Sequence, residues 1–135
     1  MTSDRTTSLL RRFAAMRTRG DAAPLPAGPF VPLLALHGDA DCTVAPANSD
    51  ALVAQWLGAL ATPVTQHVVQ ERIAQRESRC ERWSDADGRV MIESWRIAGA
   101  GHAWSGGDPG GSYTDTHGPD ATALMLRFFA RHSRD

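Results

Sequence analysis

The alternation of apolar and polar positions divides the chain into helical patterns, strand patterns and one long glycine-rich stretch. Residues 31–36 form a short, continuous apolar run, which is typical of a strand buried on both faces, as in a parallel sheet. The run ends in Gly38 and an acidic loop, the place where α/β sheets carry their sites. Residues 46–60 then show helical spacing, and Pro63 predicts the end of that helix.

Three further segments have strand patterns, at residues 64–70, 79–83 and 89–97. The second and third are joined by residues 84–88, whose Asp-Gly pair predicts a hairpin. A glycine-rich loop then covers residues 99–118.

Helical patterns also stand near both ends of the chain. Residues 8–20 predict an amphipathic helix, and residues 21–30, rich in Ala, Pro and Gly, predict a connector. Residues 119–132 predict a closing helix, with Pro119 near its first turn. We therefore expect residues 1–135 to form one domain of the α/β class. Its sheet is expected to be few-stranded and mainly parallel, with one hairpin and flanking helices.

Composition bears on which partners and which kinds of site the chain can have. The 135 residues carry 14 basic and 15 acidic side chains, so nothing in the charge favours nucleic acid or an anionic membrane. No apolar run approaches the roughly 18 residues of a transmembrane helix, and the first residues lack the apolar core of a secretory signal. Cys42 and Cys80 are compatible with a disulfide or with two reduced thiols, and their spacing does not favour zinc.

Two segments carry residues suited to catalysis, HGDADCTV (residues 37–44) and GAGHAWSGG (residues 99–107). Asp41 in the first is a candidate acid that would orient a histidine and stabilise its imidazolium form. His102 in the second is a candidate general base, since its small neighbours allow close approach to a substrate carbonyl. Taken without His102, Asp41 is equally consistent with a cap of the turn or of the following helix.

Other side chains near these two have weaker claims. Trp104 is a candidate substrate-binding residue that would wall an apolar pocket, although a core position explains it equally well. Ser105 follows His102 too closely, and stands on no strand-to-helix turn, to be the expected nucleophile. His37 is expected to have a structural role near the turn.

A metal site is the alternative use of the same residues. His37, Asp39 and Asp41 alternate along the strand end and, with His102, would form a mixed nitrogen and oxygen site for zinc or manganese. Against this, Gly38 interrupts regular strand geometry, and the acid–base hypothesis already accounts for two of these residues. We therefore expect neither a metal nor another cofactor.

The three long motifs of the chain are HGDADCTVAPANSDALVAQW, GAGHAWSGG and GSYTDTHGPDATALMLRFF. Together they resemble the C-terminal part of the poly(3-hydroxybutyrate) depolymerase family, esterases of the α/β-hydrolase superfamily related to feruloyl and acetylxylan esterases. The similarity extends from about residue 13 to about residue 132. It implies a carboxylic-ester hydrolase in which Asp41 is the acid and His102 the base of a Ser-His-Asp triad.

The resemblance also implies what the chain does not supply. No G-x-S-x-G sequence, the usual setting of the serine nucleophile, occurs in it. We therefore expect the C-terminal portion of an α/β-hydrolase, without the half that carries the nucleophile. Such a portion would be inactive as an esterase and would leave the strand at residues 31–36 with an open edge.

The expected partners are an ester substrate, either a hydroxyalkanoate or an aryl or acetyl ester, and an N-terminal hydrolase segment that completes the site. The resemblance implies an extracellular protein, whereas the absence of a signal peptide favours the cytoplasm for the chain as given. The alternative from another class is a catalytically inactive remnant kept as an interaction module.

Overall fold

A computed structural model describes residues 29–132 of the chain. The helix predicted at residues 8–20 lies outside the described residues, as does most of the connector at residues 21–30. The described elements, in chain order, are β1 (Leu33–Gly38), α1 (Ala47–Gly58), β2 (Thr65–Ile73), β3 (Arg76–Ser84), β4 (Val90–Ile97), β5 (Trp104–Ser105), β6 (Thr114–Asp115) and α2 (Ala121–Arg131).

The main sheet has the strand order β1-β4-β3-β2, and it corrects the expected fold class. Within this sheet only β1 and β4 are parallel, whereas β3 is antiparallel to both of its neighbours. The prediction of a mainly parallel α/β-hydrolase sheet is therefore wrong. The reason is the length of the connections: parallel neighbours need a crossover of roughly a dozen residues or more, and β2, β3 and β4 are joined by short turns.

The hairpin predicted from the Asp-Gly pair is confirmed as the β3–β4 connection. The hairpin between β2 and β3 was not predicted. Its turn is Ala74-Gln75, and Ala74 adopts the left-handed conformation with a φ of 55° that glycine or asparagine usually supplies. No glycine, asparagine or proline stands at this position, so local sequence does not predict the reversal.

The two helices cover opposite faces of the sheet. On one face α1 packs through Val53 onto Trp83 and Ile92. On the other, Leu124 of α2 packs onto Cys80 and Trp95. Each such buried side chain stabilises the fold by roughly 1.5–3 kcal/mol. Both helices were predicted, with ends displaced by one or two residues. No helix within residues 29–132 is long and apolar enough to cross a membrane.

A buried ion pair lies on the α2 face. Glu93 of β4 is almost fully buried. It accepts a hydrogen bond of 2.6 Å from Nε of Arg82, the residue paired with it on the adjacent strand β3. Cys80 lies beside this pair, and burial raises the pKa of its thiol to about 12. Both Cys80 and the exposed Cys42 are free thiols. Cys80 is therefore an unreactive core residue.

Gly38, the last residue of β1, lies against the loop that follows β4. A Cβ atom at this position would overlap the backbone carbonyl of Ala100. Glycine is thus required here for the close approach of two backbones.

We expect Gly38→Ala to lower the free energy of unfolding by roughly 1–3 kcal/mol, because the Ala100 backbone must move. Urea denaturation followed by circular dichroism measures this. Gly58→Ala is the matched control: a Cβ atom there meets nothing within 4 Å, and alanine favours the helix by up to about 1 kcal/mol. Equal effects of the two substitutions would contradict the close-approach argument.

Candidate active site

The candidate site lies where β1 and β4 end. Because these strands are parallel, the loops that follow them leave the same end of the sheet. Backbone hydrogen bonds join the two loops, from Asp39 N–H to the Ile97 carbonyl and from Ala40 N–H to the Ala100 carbonyl, both at 3.0 Å. The Asp39 carboxylate adds a bond of 2.6 Å from the Gly99 N–H. These bonds fix the two predicted residues relative to each other.

The structure brings Asp41 and His102, the two candidate site residues, into contact. Oδ2 of Asp41 lies 2.9 Å from Nδ1 of His102. The other oxygen, Oδ1, accepts the backbone N–H groups of Thr43 at 2.9 Å and Val44 at 2.8 Å. The carboxylate therefore has a fixed orientation within its own turn, and it contacts the imidazole with one defined oxygen.

The environment keeps Asp41 ionised. Burial by itself would raise the pKa of this carboxyl group. The hydrogen bonds from the Val44 N–H, from His102 and from the Thr43 N–H outweigh burial, so the pKa lies below its ordinary value. A buried carboxylate next to an imidazole stabilises the protonated ring and selects the tautomer of the neutral one.

His102 is oriented at one nitrogen and open at the other. Its side chain is 55% exposed, whereas that of Asp41 is 5% exposed. With Nδ1–H donating to Asp41, the neutral ring carries its lone pair on Nε2. This is the tautomer that a general base requires.

His37 supports the carboxylate from the other side. Its Nε2 lies 2.8 Å from the Val44 carbonyl, an acceptor, so Nε2 carries the proton. Nδ1 then accepts the hydroxyl of Ser49 in α1 at 2.8 Å. Nε2 also lies 3.3 Å from Oδ2 of Asp41. His37 thus connects the acidic turn to helix α1, and sequence reasoning had placed it near the turn without identifying these partners.

A cavity of about 170 Å³ lies beside His102. Trp104 lines it and is 45% exposed, and the remaining lining is mostly apolar, including Leu36, Ile97 and Met125. A wider groove of about 370 Å³ lies between α1 and β3. Neither cavity is lined by Asp41 or His102, but Gly101 and Ala103, the chain neighbours of His102, line the smaller one.

Ser105 is buried, and its hydroxyl donates to the carbonyl of Pro119 at 2.5 Å, so the hydroxyl is already engaged within the fold. The metal alternative meets similar obstacles, since both nitrogens of His37 and the carboxylate of Asp39 already have partners. Within the described residues, no group of three or more His, Cys, Asp or Glu side chains is arranged so that it could hold a metal ion.

The glycine-rich loop that carries His102 is held by a second buried carboxylate, which sequence reasoning missed. Asp115 pairs with Arg76 at 2.7 Å and accepts the N–H of His117 at 3.0 Å. Burial would raise the pKa of Asp115, but Arg76 and the His117 N–H outweigh it and lower the pKa. No spacing rule could have found this pair, since its members are 39 residues apart.

Comparison with known proteins adds no family assignment: no protein-family model matches this chain, and no curated protein matches it.

We expect His37→Ala to lower the free energy of unfolding by about 1–3 kcal/mol, because the Val44 carbonyl and the Ser49 hydroxyl lose their partner. Urea denaturation measures the effect. His67→Ala, which removes an exposed histidine of β2, is the control and should change stability by less than about 0.5 kcal/mol. A His37→Ala variant as stable as this control would show that the hydrogen bonds of His37 contribute nothing.

Acid should destabilise the protein partly through Asp115. Because its pKa is lowered in the folded state, its contribution is fully present above the unfolded value of about 3.9. This contribution to stability is lost as the pH falls from about 3.9 through the pKa of Asp115 in the folded protein. We expect Asp115→Asn to be less stable at pH 6 and to lose less further stability between pH 6 and pH 3, measured by urea denaturation at each pH. Asp87→Asn, in the exposed β3–β4 turn, controls for the removal of one negative charge, and identical pH profiles for the two variants would contradict this account.

Proposed function

We propose that Asp41 and His102 are the acid and the base of a carboxylic-ester hydrolase that uses the Ser-His-Asp mechanism. The observation that carries the proposal is the contact of 2.9 Å between a buried, backbone-anchored carboxylate and Nδ1 of a histidine whose side chain is largely exposed. The nucleophilic serine belongs to a polypeptide segment other than residues 29–132.

The role of each group follows from its protonation state. Nε2 of His102 accepts the proton of the serine hydroxyl as the serine oxygen attacks the ester carbonyl. The resulting imidazolium is stabilised by the Asp41 carboxylate, which stays ionised. His102 then transfers the proton to the departing alcohol oxygen, and water repeats the sequence to release the acid from the acyl-enzyme.

The cavity beside His102 suits an apolar part of the ester. Its volume of about 170 Å³ and its apolar lining favour a short acyl or aryl group, with Trp104 as one wall. The resemblance of G-H-A-W-S-G-G and H-G-D-A-D to motifs of the poly(3-hydroxybutyrate) depolymerase esterases supports the same chemistry. The substrate class proposed is therefore a hydroxyalkanoate, aryl or acetyl ester.

The test measures hydrolysis of p-nitrophenyl butyrate by the protein purified from its own cells through a C-terminal tag, with any attached or tightly bound segment. We expect Asp41→Asn to lower kcat about ten-thousandfold, because the imidazole loses its orienting carboxylate. His102→Ala should lower it at least as far, since it removes the base.

His117→Ala is the matched control for these variants. Its side chain is also 55% exposed and also contacts a buried carboxylate through Nδ1, at 3.3 Å from Asp115. Its kcat should stay within about twofold of the wild type. Recombinant residues 1–135 alone should neither turn over the ester nor react with a fluorophosphonate.

Absence of turnover in the native preparation would overturn the proposal and favour an inactive interaction module. A fluorophosphonate label on a serine of residues 29–132 would overturn the assignment of the nucleophile to another segment.

A further inference from the structure

Strand β2 is an open edge of the main sheet. Within residues 29–132 it pairs with β3 alone. Eight of its nine residues are exposed, and Val68 and Val69, on opposite faces at its centre, are each 45% exposed. Among the described residues, α1 packs mainly against β1 and β4 and α2 mainly against β1, and only Ile73, at the end of β2, joins the core cluster that contains Leu124 of α2. The edge is independent of the candidate active site at the ends of β1 and β4.

This edge has few of the features that prevent pairing with another strand. Proteins blunt exposed edges with proline, charged side chains, bulges or very short strands. β2 contains no proline, is nine residues long, and keeps an uninterrupted register with β3 from Thr65 to Ile73, and its charged side chains are Glu71 and Arg72. Such an edge is a template for an added antiparallel strand.

The two-residue turn at Ala74-Gln75 decides which backbone groups face outward. Ile73 and Arg76 flank the turn and form the hydrogen-bonded pair that closes it. Alternation along an antiparallel ladder then directs the N–H and C=O groups of the odd-numbered residues of β2 toward β3. Those of the even-numbered residues, Gln66 to Arg72, point away from the sheet.

One self-pairing register matches both this alternation and the side chains. With a two-fold axis through Val69, the even-numbered residues of each copy face those of the other, and the whole of β2 overlaps. Val69 then lies opposite Val69 of the second copy, and His67 lies opposite Glu71, twice by symmetry. These are non-hydrogen-bonded pairs, in which side chains approach most closely. The apolar centre is thus flanked by two complementary polar pairs.

We propose that the chain forms a symmetric homodimer in which the β2 edges of two copies pair antiparallel about Val69. The two four-stranded sheets then form one continuous sheet of eight strands. The partner is a second copy of this chain, because a two-fold antiparallel pairing satisfies every outward backbone group and places His67 beside Glu71 in both halves.

Sedimentation velocity of the full chain, from about 1 to about 200 µM, tests the proposal. We expect a concentration-dependent dimer in the wild type. Gln70→Pro removes an outward N–H without removing a bond to β3, and it should weaken the dimer at least about tenfold. Gln70→Ala keeps the N–H and should dimerise like the wild type, as the matched control.

Charge changes give a test that does not depend on proline. Glu71→Lys places a cation opposite His67 twice per dimer and should weaken association on the order of tenfold. The double variant His67→Glu, Glu71→Lys places a glutamate opposite a lysine in both halves and should recover at least the wild-type affinity. Circular dichroism checks that each variant is folded.

Three outcomes would overturn the proposal. The first is a wild-type chain that stays monomeric throughout the concentration range. The second is a dimer that persists unchanged in both Gln70→Pro and Glu71→Lys. The third is a double charge variant that is folded but no tighter than Glu71→Lys alone.

Discussion

The parallel pairing of β1 with β4 is the interaction on which the candidate site depends. It brings the C-terminal ends of two strands that are more than 50 residues apart in the chain to the same end of the sheet. The backbone bonds of Asp39 and Ala40 then join the two following loops, and Gly38 leaves room for them. In the antiparallel part of the sheet, neighbouring strands have their C-termini at opposite ends of the sheet. That arrangement would have separated Asp41 from His102.

Around this pair the polar groups form one connected chain of hydrogen bonds. The hydroxyl of Ser49, the ring of His37, the carboxylate of Asp41 and the ring of His102 follow one another from helix α1 to the exposed Nε2. Each buried member has a partner, which is the condition for a polar network to stabilise a fold rather than weaken it. The same partners that orient the carboxylate also keep it charged, so position and electrostatics have a single cause.

The mixed sheet has two edges with different surroundings. The free edge of β1 lies near the cavity beside His102, which Leu36 and Gly38 help to line. The free edge of β2 lies at the far side of the sheet, away from the main helix contacts of the described residues. This separation allows one edge to serve the proposed chemistry and the other to serve association. Neither edge would exist if the sheet closed into a barrel.

The sequence by itself determined most of the local elements and which two residues are the candidate acid and base. Apolar spacing located α1 and α2, the Asp-Gly pair located the β3–β4 hairpin, and the strand-end motifs singled out Asp41 and His102. Only the tertiary structure decided the direction of the strands, because an apolar run has the same pattern in either orientation. It also decided the partners of His37 and the ion pair between Arg76 and Asp115. Those contacts join residues distant in the chain, and no local propensity specifies which of them meet once the sheet has formed.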